Sequence, residues 1–489
     1  MKTLKQIFLT ALLTIAPLAI AQKPMYWPWQ NWKPVEQFPK GFLFGAGISH
    51  YQYEGKRPDH IATDYNNFDL LADMYDTNGK QHKNIKDLSG DACKGWEKAL
   101  EDVELVHKAG LNVYRFSIDW AKVNPHAGVF DQSALDHYIA VLDRCNELGI
   151  KPLIGLHHYT DPVWFIEIGG WTKRENIDYF VTFARKVYKA FGDRVWLWST
   201  FNSPDGYAAK CCVTGEMIAS IDSKNNPVIR HRDFSAHANM FCNLCLAHVA
   251  VYNALKEEFI TQHKAGKCQN EPQIGILKNI LQFEAGQLWD NIVCSLLNNL
   301  FDEAFFSFFT TGSYPNWIGS GIIATDTRAP YALDYIGLNY YSHKMINNFG
   351  AGEIPGEIPT QNPNYAIYPE GLYYALETID KKLAQPVSNL HSKKLPIYVT
   401  ENGIAAIREE DREIFFKKYL YALHKAIDHG INVKGYFNWS LMDNYEWGSY
   451  GKKYGLYHVD FTSPERTRTL KTDAGTAYFL ELARKTHTA

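Results

Sequence analysis

The sequence predicts an α/β protein folded as a single (β/α)8 (TIM) barrel, and three observations carry that expectation. Eight short apolar runs recur along the 489 residues, each ends in polar residues, and amphipathic stretches separate them. Continuous apolar runs suit parallel strands, which helices cover on the outside so that both faces are buried. Eight strand-then-helix units fill one large barrel domain, and in that fold the chemistry gathers where the strands end.

The runs are, in order, GFLFGAGIS (Gly41–Ser49), NVYRFSIDW (Asn112–Trp120), KPLIGLHHY (Lys151–Tyr159) and VWLWSTFN (Val195–Asn202). QIGILKNI (Gln273–Ile280), LDYIGLNYY (Leu333–Tyr341), LPIYVTEN (Leu395–Asn402) and VKGYFNWS (Val433–Ser440) complete the set. Between them, ALEDVELVHKAG (Ala99–Gly110) and DREIFFKKYLYALHKAIDHG (Asp411–Gly430) repeat apolar residues every three to four positions and stop at glycine, as helices do. The Pro-, Gly- and Asn-rich stretch from Asn347 to Asn364 reads as a long loop over the barrel mouth.

Residues 1–21 form a separate segment. A basic start at Lys2 and Lys5, an apolar stretch from Ile7 to Ile20 and small residues at Ala19 and Ala21 lay out a signal peptide cleaved before Gln22. The expectation is an exported protein whose mature chain, residues 22–489, is one barrel domain. No later segment reads as long and apolar enough to span a bilayer. Net charge is −3, from 50 basic and 53 acidic residues, with no long basic run, which argues against nucleic acid as a partner. The eight cysteines define no disulfide framework, and Cys242 and Cys245 lie in a helical stretch that suggests burial rather than metal or redox work. The histidines do not cluster at ligand spacing, so no metal and no organic cofactor is expected. The glycosylation pattern Asn438–Ser440 falls inside an apolar run and is expected to be buried.

If the strand ends converge, they bring together Gln52, Arg115, His158, Asn202, Asn339, Tyr341, Glu401, Trp439 and Glu446. Amides, carboxylates and aromatic faces are the groups that hold sugar hydroxyls and C–H surfaces. A guanidinium and a phenol beside a carboxylate favour its charged form. Each residue also has an ordinary reading: Arg115 as a structural ion pair, Trp439 as core, Glu401 as a capping carboxylate. His157 and His158 adjoin, and one of them must point into packing.

The motifs FLFGAGISHYQYEG, YRFSIDW, GGW, FGDRVWLWSTFNSP, GLNYYS, PIYVTENGI and GYFNWSLMDNYEWGSYGKKYGLYHVDF occur in this order from about Phe38 to near the C-terminus. In this the chain resembles the β-glucosidase-like enzymes of glycoside hydrolase family 1. The resemblance implies that Glu401 of T-E-N-G is the nucleophile of a retaining β-glycosidase. It also implies that Gln52, His158, Asn202, Glu446, Trp439 and Trp447 hold the terminal sugar, and that Arg115, Asn339 and Tyr341 position the nucleophile. Its ligand would be a β-linked glycoside. Glu446 disfavours a 6-phosphate by like charge.

Ser203 departs from the pattern. The family carries glutamate between this asparagine and proline, as general acid and then general base, about 5–5.5 Å from the nucleophile. Serine is too weak an acid to replace it, and losing such help costs about 10²–10⁴ in rate. Three readings follow: a glycosidase restricted to activated aglycones, a catalytically silent sugar-binding member, or a hydrolase whose acid has moved to Asp205.

Overall fold

Eight parallel strands close into a barrel in which each strand lies beside its neighbours in sequence, and β8 returns to β1. They are β1 Leu43–Gly47, β2 Val113–Ser117, β3 Lys151–His157, β4 Leu197–Asn202, β5 Ile274–Asn279, β6 Tyr335–Asn339, β7 Ile397–Asn402 and β8 Val433–Trp439. Each falls inside the apolar run that predicts it. The computed structural model describes residues 28–57, 66–76, 86–223, 227, 232–316, 318, 321–352, 357–384 and 394–488. The chain divides into a short N-terminal unit, Met1–Lys33, and the unit Pro34–Ala489, which holds the barrel. The leader-like segment 1–21 lies outside the described residues.

The barrel is a packed core rather than a pore. Seven buried side chains, Val113, Leu153, Leu197, Leu277, Tyr335, Tyr398 and Phe437, come one from each of β2 to β8 and meet in one cluster, with Leu43 of β1 against it. That plug leaves the C-terminal strand ends free to carry polar groups.

Helices cover the outside, among them α1 Gly95–Lys108, α2 Gln132–Glu147, α3 Ile177–Phe191, α4 Phe234–Lys264, α5 Ala304–Thr311, α6 Pro369–Ile379, α7 Glu409–Asp428 and α8 Ala474–Thr488. Side chains start several of them. Asp131 accepts from the Ser133 and Ala134 amides at α2, and Asp233 accepts from Ala236 N at α4.

Two expectations are corrected here. By length and composition, two helical runs, Phe234–Lys264 and Asp290–Thr311, are apolar enough to cross a membrane; 72% and 50% of their apolar windows are buried inside the fold. Their apolarity is what helices packed around a barrel require. The stretch after β6 is not wholly loop. His343–Asn347 pairs with Gln282–Ala285 and turns back onto Gly350–Gly352. The turn holds Asn348 and Phe349 at φ 51° and 63°, both left-handed as a two-residue hairpin needs. Phenylalanine is an unusual occupant of such a position, which hid the turn.

All eight cysteines are buried free thiols. Asn438 is buried, as its place in β8 implies.

Candidate active site

The expected residues meet at the C-terminal ends of the strands. Glu401 ends β7 in the stretch Thr400–Asn402, and Gly403 follows because a β-carbon there would lie 1.8 Å from the Trp439 carbonyl oxygen. The Glu401 carboxylate, 6% exposed, is held on both oxygens. Arg115 Nη1 donates to Oε1 at 2.6 Å, and Tyr341 OH donates to Oε2 at 2.7 Å. Arg115 Nη2 also donates to Asn202 Oδ1 at 2.6 Å, tying β2 to the ends of both β4 and β7. A fork of fixed N–H groups suits this double duty.

The network continues to Ser203. Asn339 Nδ2 donates to Asn202 Oδ1 at 2.7 Å and to Ser203 Oγ at 2.9 Å. Thr400 Oγ1 donates to Asn339 Oδ1 at 2.7 Å and fixes which way that amide faces. Ser203 is buried and left-handed at φ 40°, and its N–H donates to the Leu277 carbonyl at 2.7 Å. Pro204 then opens a short helix, Pro204–Ala209. Pairing registers shift between Ser199 and Asn202 in β4 and between Val399 and Glu401 in β7. Irregularities of this kind at a barrel rim re-aim side chains, and they occur here at the two strand ends facing the same pocket.

Around this pair stands a second set. Gln52, on the short helix after β1, donates to Glu446 Oε2 at 2.9 Å and to Asn444 Oδ1 at 3.0 Å. Trp439 Nε1 donates to Glu446 Oε2 at 3.3 Å. His158 Nε2 lies 3.0 Å from Asn202 Nδ2, and its ring lies over Trp439 and Trp447 at 5.8 and 6.1 Å. Burial, helped by Arg115, holds His158 well below its ordinary value, so the ring is neutral. Burial raises the Glu446 carboxyl. His157 turns away and pairs with Asp161 at 3.0 Å in the packing.

Asp205 lies apart from this network. It is fully buried and meets Lys278 Nζ at 3.0 Å, and the same ammonium reaches Asp302 at 2.8 Å. Sequence reasoning missed Thr400, Asn444 and Lys278. Only Lys278 left a signal, as a lone charge in the apolar run of β5. Among the described residues, no three His, Cys, Asp or Glu side chains are placed to hold a metal ion.

Known proteins share this architecture. The family model "Glycosyl hydrolase family 1" matches residues 35–488. β-Glucosidase A of Thermotoga maritima is 27% identical over 466 residues, covering 88% of this chain and 95% of its own. β-Glucosidase 47 of Arabidopsis thaliana is 29% identical over 486 residues, covering 88% of this chain and 83% of its own. The solved β-glucosidase from Thermotoga maritima in complex with deoxynojirimycin superposes with a TM-score of 0.75 at 26% identity, over 93% of this chain and 99% of that one. The closed barrel, the strand-end cluster and the match across nearly the whole chain lead to one conclusion: the protein belongs to glycosyl hydrolase family 1.

Proposed function

We propose that this protein is a retaining β-glycosidase of β-glucosidase type in which Glu401 is the nucleophile and Ser203 occupies the place of the general acid/base carboxylate. The observation that carries the reading is the clasp of Arg115 and Tyr341 on the two Glu401 oxygens. It leaves the carboxylate oriented and charge-compensated beside a pocket of sugar-binding character. Gln52, His158, Asn202, Trp439, Glu446 and Trp447 hold the terminal sugar, and Asn339 with Tyr341 positions the reacting groups.

Catalysis begins with attack of the Glu401 carboxylate on the anomeric carbon and departure of the aglycone oxygen. No carboxylic acid at position 203 protonates that oxygen, so leaving groups that are already acidic react best. Asp205 does not take over: burial raises its carboxyl against the pull of Lys278, but the side chain is fully buried on that ammonium and makes no hydrogen bond into the Glu401 network. Glu446, already bonded to Gln52 and Trp439, disfavours a phosphorylated sugar. We also propose export through the leader-like segment 1–21, with a mature N-terminus at Gln22, which N-terminal sequencing of secreted protein tests.

The decisive experiment is incubation with a 2-fluoro dinitrophenyl β-glucoside followed by intact mass and peptide mapping. A stable adduct on Glu401 is expected. Its absence would leave a sugar-binding protein without turnover. A series of aryl and alkyl glucosides, with and without azide, then measures how steeply the rate depends on the leaving group. An ordinary alkyl-glucoside rate without azide would reject the loss of acid assistance.

A further inference from the structure

A phenol reaches the slot beside Ser203. Tyr159 follows His158 at the end of β3 and is held in the left-handed region at φ 74°, a conformation that persists in a non-glycine residue only when its surroundings enforce it. Its ring stacks on Tyr207 at 5.7 Å and leans on Trp447 at 5.3 Å. The hydroxyl end enters between the two small residues of the next helical turn, Ser203 and Gly206. A β-carbon at Gly206 would lie 2.8 Å from the phenol oxygen and 3.6 Å from Ser203 Cβ. Glycine is therefore what admits the phenol.

The hydrogen-bonding order orients the proton. Ser203 Oγ accepts from Asn339 Nδ2, so its own O–H is available to donate to the neighbouring Tyr159 oxygen. That leaves the Tyr159 O–H free to donate, and it has no other hydrogen-bond partner among the described residues.

We propose that Tyr159 is the residual proton donor to the departing aglycone oxygen, with Ser203 as the positioning hydroxyl that supports its phenolate. The proposal rests on Glu401 as nucleophile. As Glu401 bonds to the anomeric carbon, the bond from that carbon to the aglycone oxygen breaks. Its electron pair stays on the oxygen, and the Tyr159 proton passes to it. In the second step water attacks the same carbon and returns a proton to the Tyr159 phenolate. The bond to Glu401 breaks, restoring the carboxylate. Burial, then the charges of Asp205 and Glu401, push the Tyr159 phenol well above its ordinary value. It is fully protonated at neutral pH, as a donor must be, yet weaker than a carboxylic acid. Esterification of Glu401 removes one of the charges that hold the proton on the phenol.

The test is Tyr159→Phe, with Ser203→Ala as second variant, on an alkyl and a dinitrophenyl β-glucoside. Loss of one hydrogen bond to developing charge predicts that kcat/KM of Y159F falls roughly 10- to 100-fold on the alkyl glucoside. The loss on the dinitrophenyl glucoside is much smaller, because that oxygen needs little protonation. S203A loses alkyl activity in the same pattern, and the two losses are less than additive. Equal losses of Y159F on both substrates, or no alkyl loss, overturn the proposal. The 2-fluoro adduct separates the two levels of inference. If Y159F still forms the adduct and keeps the wild-type leaving-group dependence, Tyr159 alone is refuted; if wild type forms none, the nucleophile reading falls with it.

Discussion

Ser203→Glu, made in a Tyr159→Phe background so that no phenol oxygen competes for the slot, places a carboxyl group in the first turn after β4. The seat is ready for it. The Ser203 backbone is anchored to Leu277, and the Asn339 amide stands 2.9 Å from the present hydroxyl oxygen. The same amide chain leads through Asn202 and Arg115 to Glu401, so the new carboxyl joins a pocket in which the Glu401 carboxylate is already held. General acid assistance is worth about 10²–10⁴ in rate, or roughly 3–5.5 kcal/mol of barrier. The S203E/Y159F protein is therefore expected to exceed Y159F by that factor in kcat/KM on alkyl β-glucosides. On a dinitrophenyl glucoside the difference is small. The assay is a plot of log kcat/KM against leaving-group pKa, steep for Y159F and nearly flat for the double variant. A gain below about tenfold on alkyl substrates refutes the argument, since it falls short of even the smallest expected acid contribution. An equal gain on both substrate classes refutes it too.

Arg115→Met removes the cation shared by Glu401 and Asn202; a stability loss of about 3–5 kcal/mol is expected from the uncompensated buried carboxylate, together with slower 2-fluoro adduct formation, and an unchanged adduct rate would contradict the clasp. Lys278→Met strands Asp205 and Asp302 in the interior and costs a similar amount at neutral pH. Burial already raises Asp302 to about 6, so urea midpoints of the variant should approach wild type as the pH is lowered toward 4, where protonated carboxyls need no partner. His343, between Glu284 and Glu357, titrates on the other side of neutrality. Burial would lower it, but the two carboxylates push it up to about 9. A raised histidine stabilises the fold fully below its unfolded value of about 6.5 and loses that contribution as pH rises through 9. Denaturation of wild type between pH 7 and 9.5 should therefore show a decline of up to about 3 kcal/mol, which His343→Gln abolishes.

The strands were legible because burial on both faces forces apolar residues into short unbroken runs, and the polar residue ending each run marks the rim. Periodicity could not choose between His157 and His158. Only the resemblance to a family did, and the structure agrees by turning His157 to Asp161. The register shifts at the ends of β4 and β7 break strict alternation, so nothing in a period of two shows that Thr400 bonds the Asn339 amide while its neighbour Glu401 meets Arg115. The Tyr159 contact with Ser203 and Gly206 joins two strand ends with a whole helix between them, and no local pattern encodes it. Lys278 was readable in principle. A lone cation in a buried strand demands acidic partners, but sequence does not say where they come from.

The plug of one large side chain per strand, Val113 through Phe437 with Leu43, lies beneath every residue of the pocket. The packing inside the barrel is thus settled on one storey and the polar pocket composed on the next. A hydroxyl and a carboxyl can trade places at position 203 without disturbing the plug, whereas a change to the Arg115 clasp reaches stability as well.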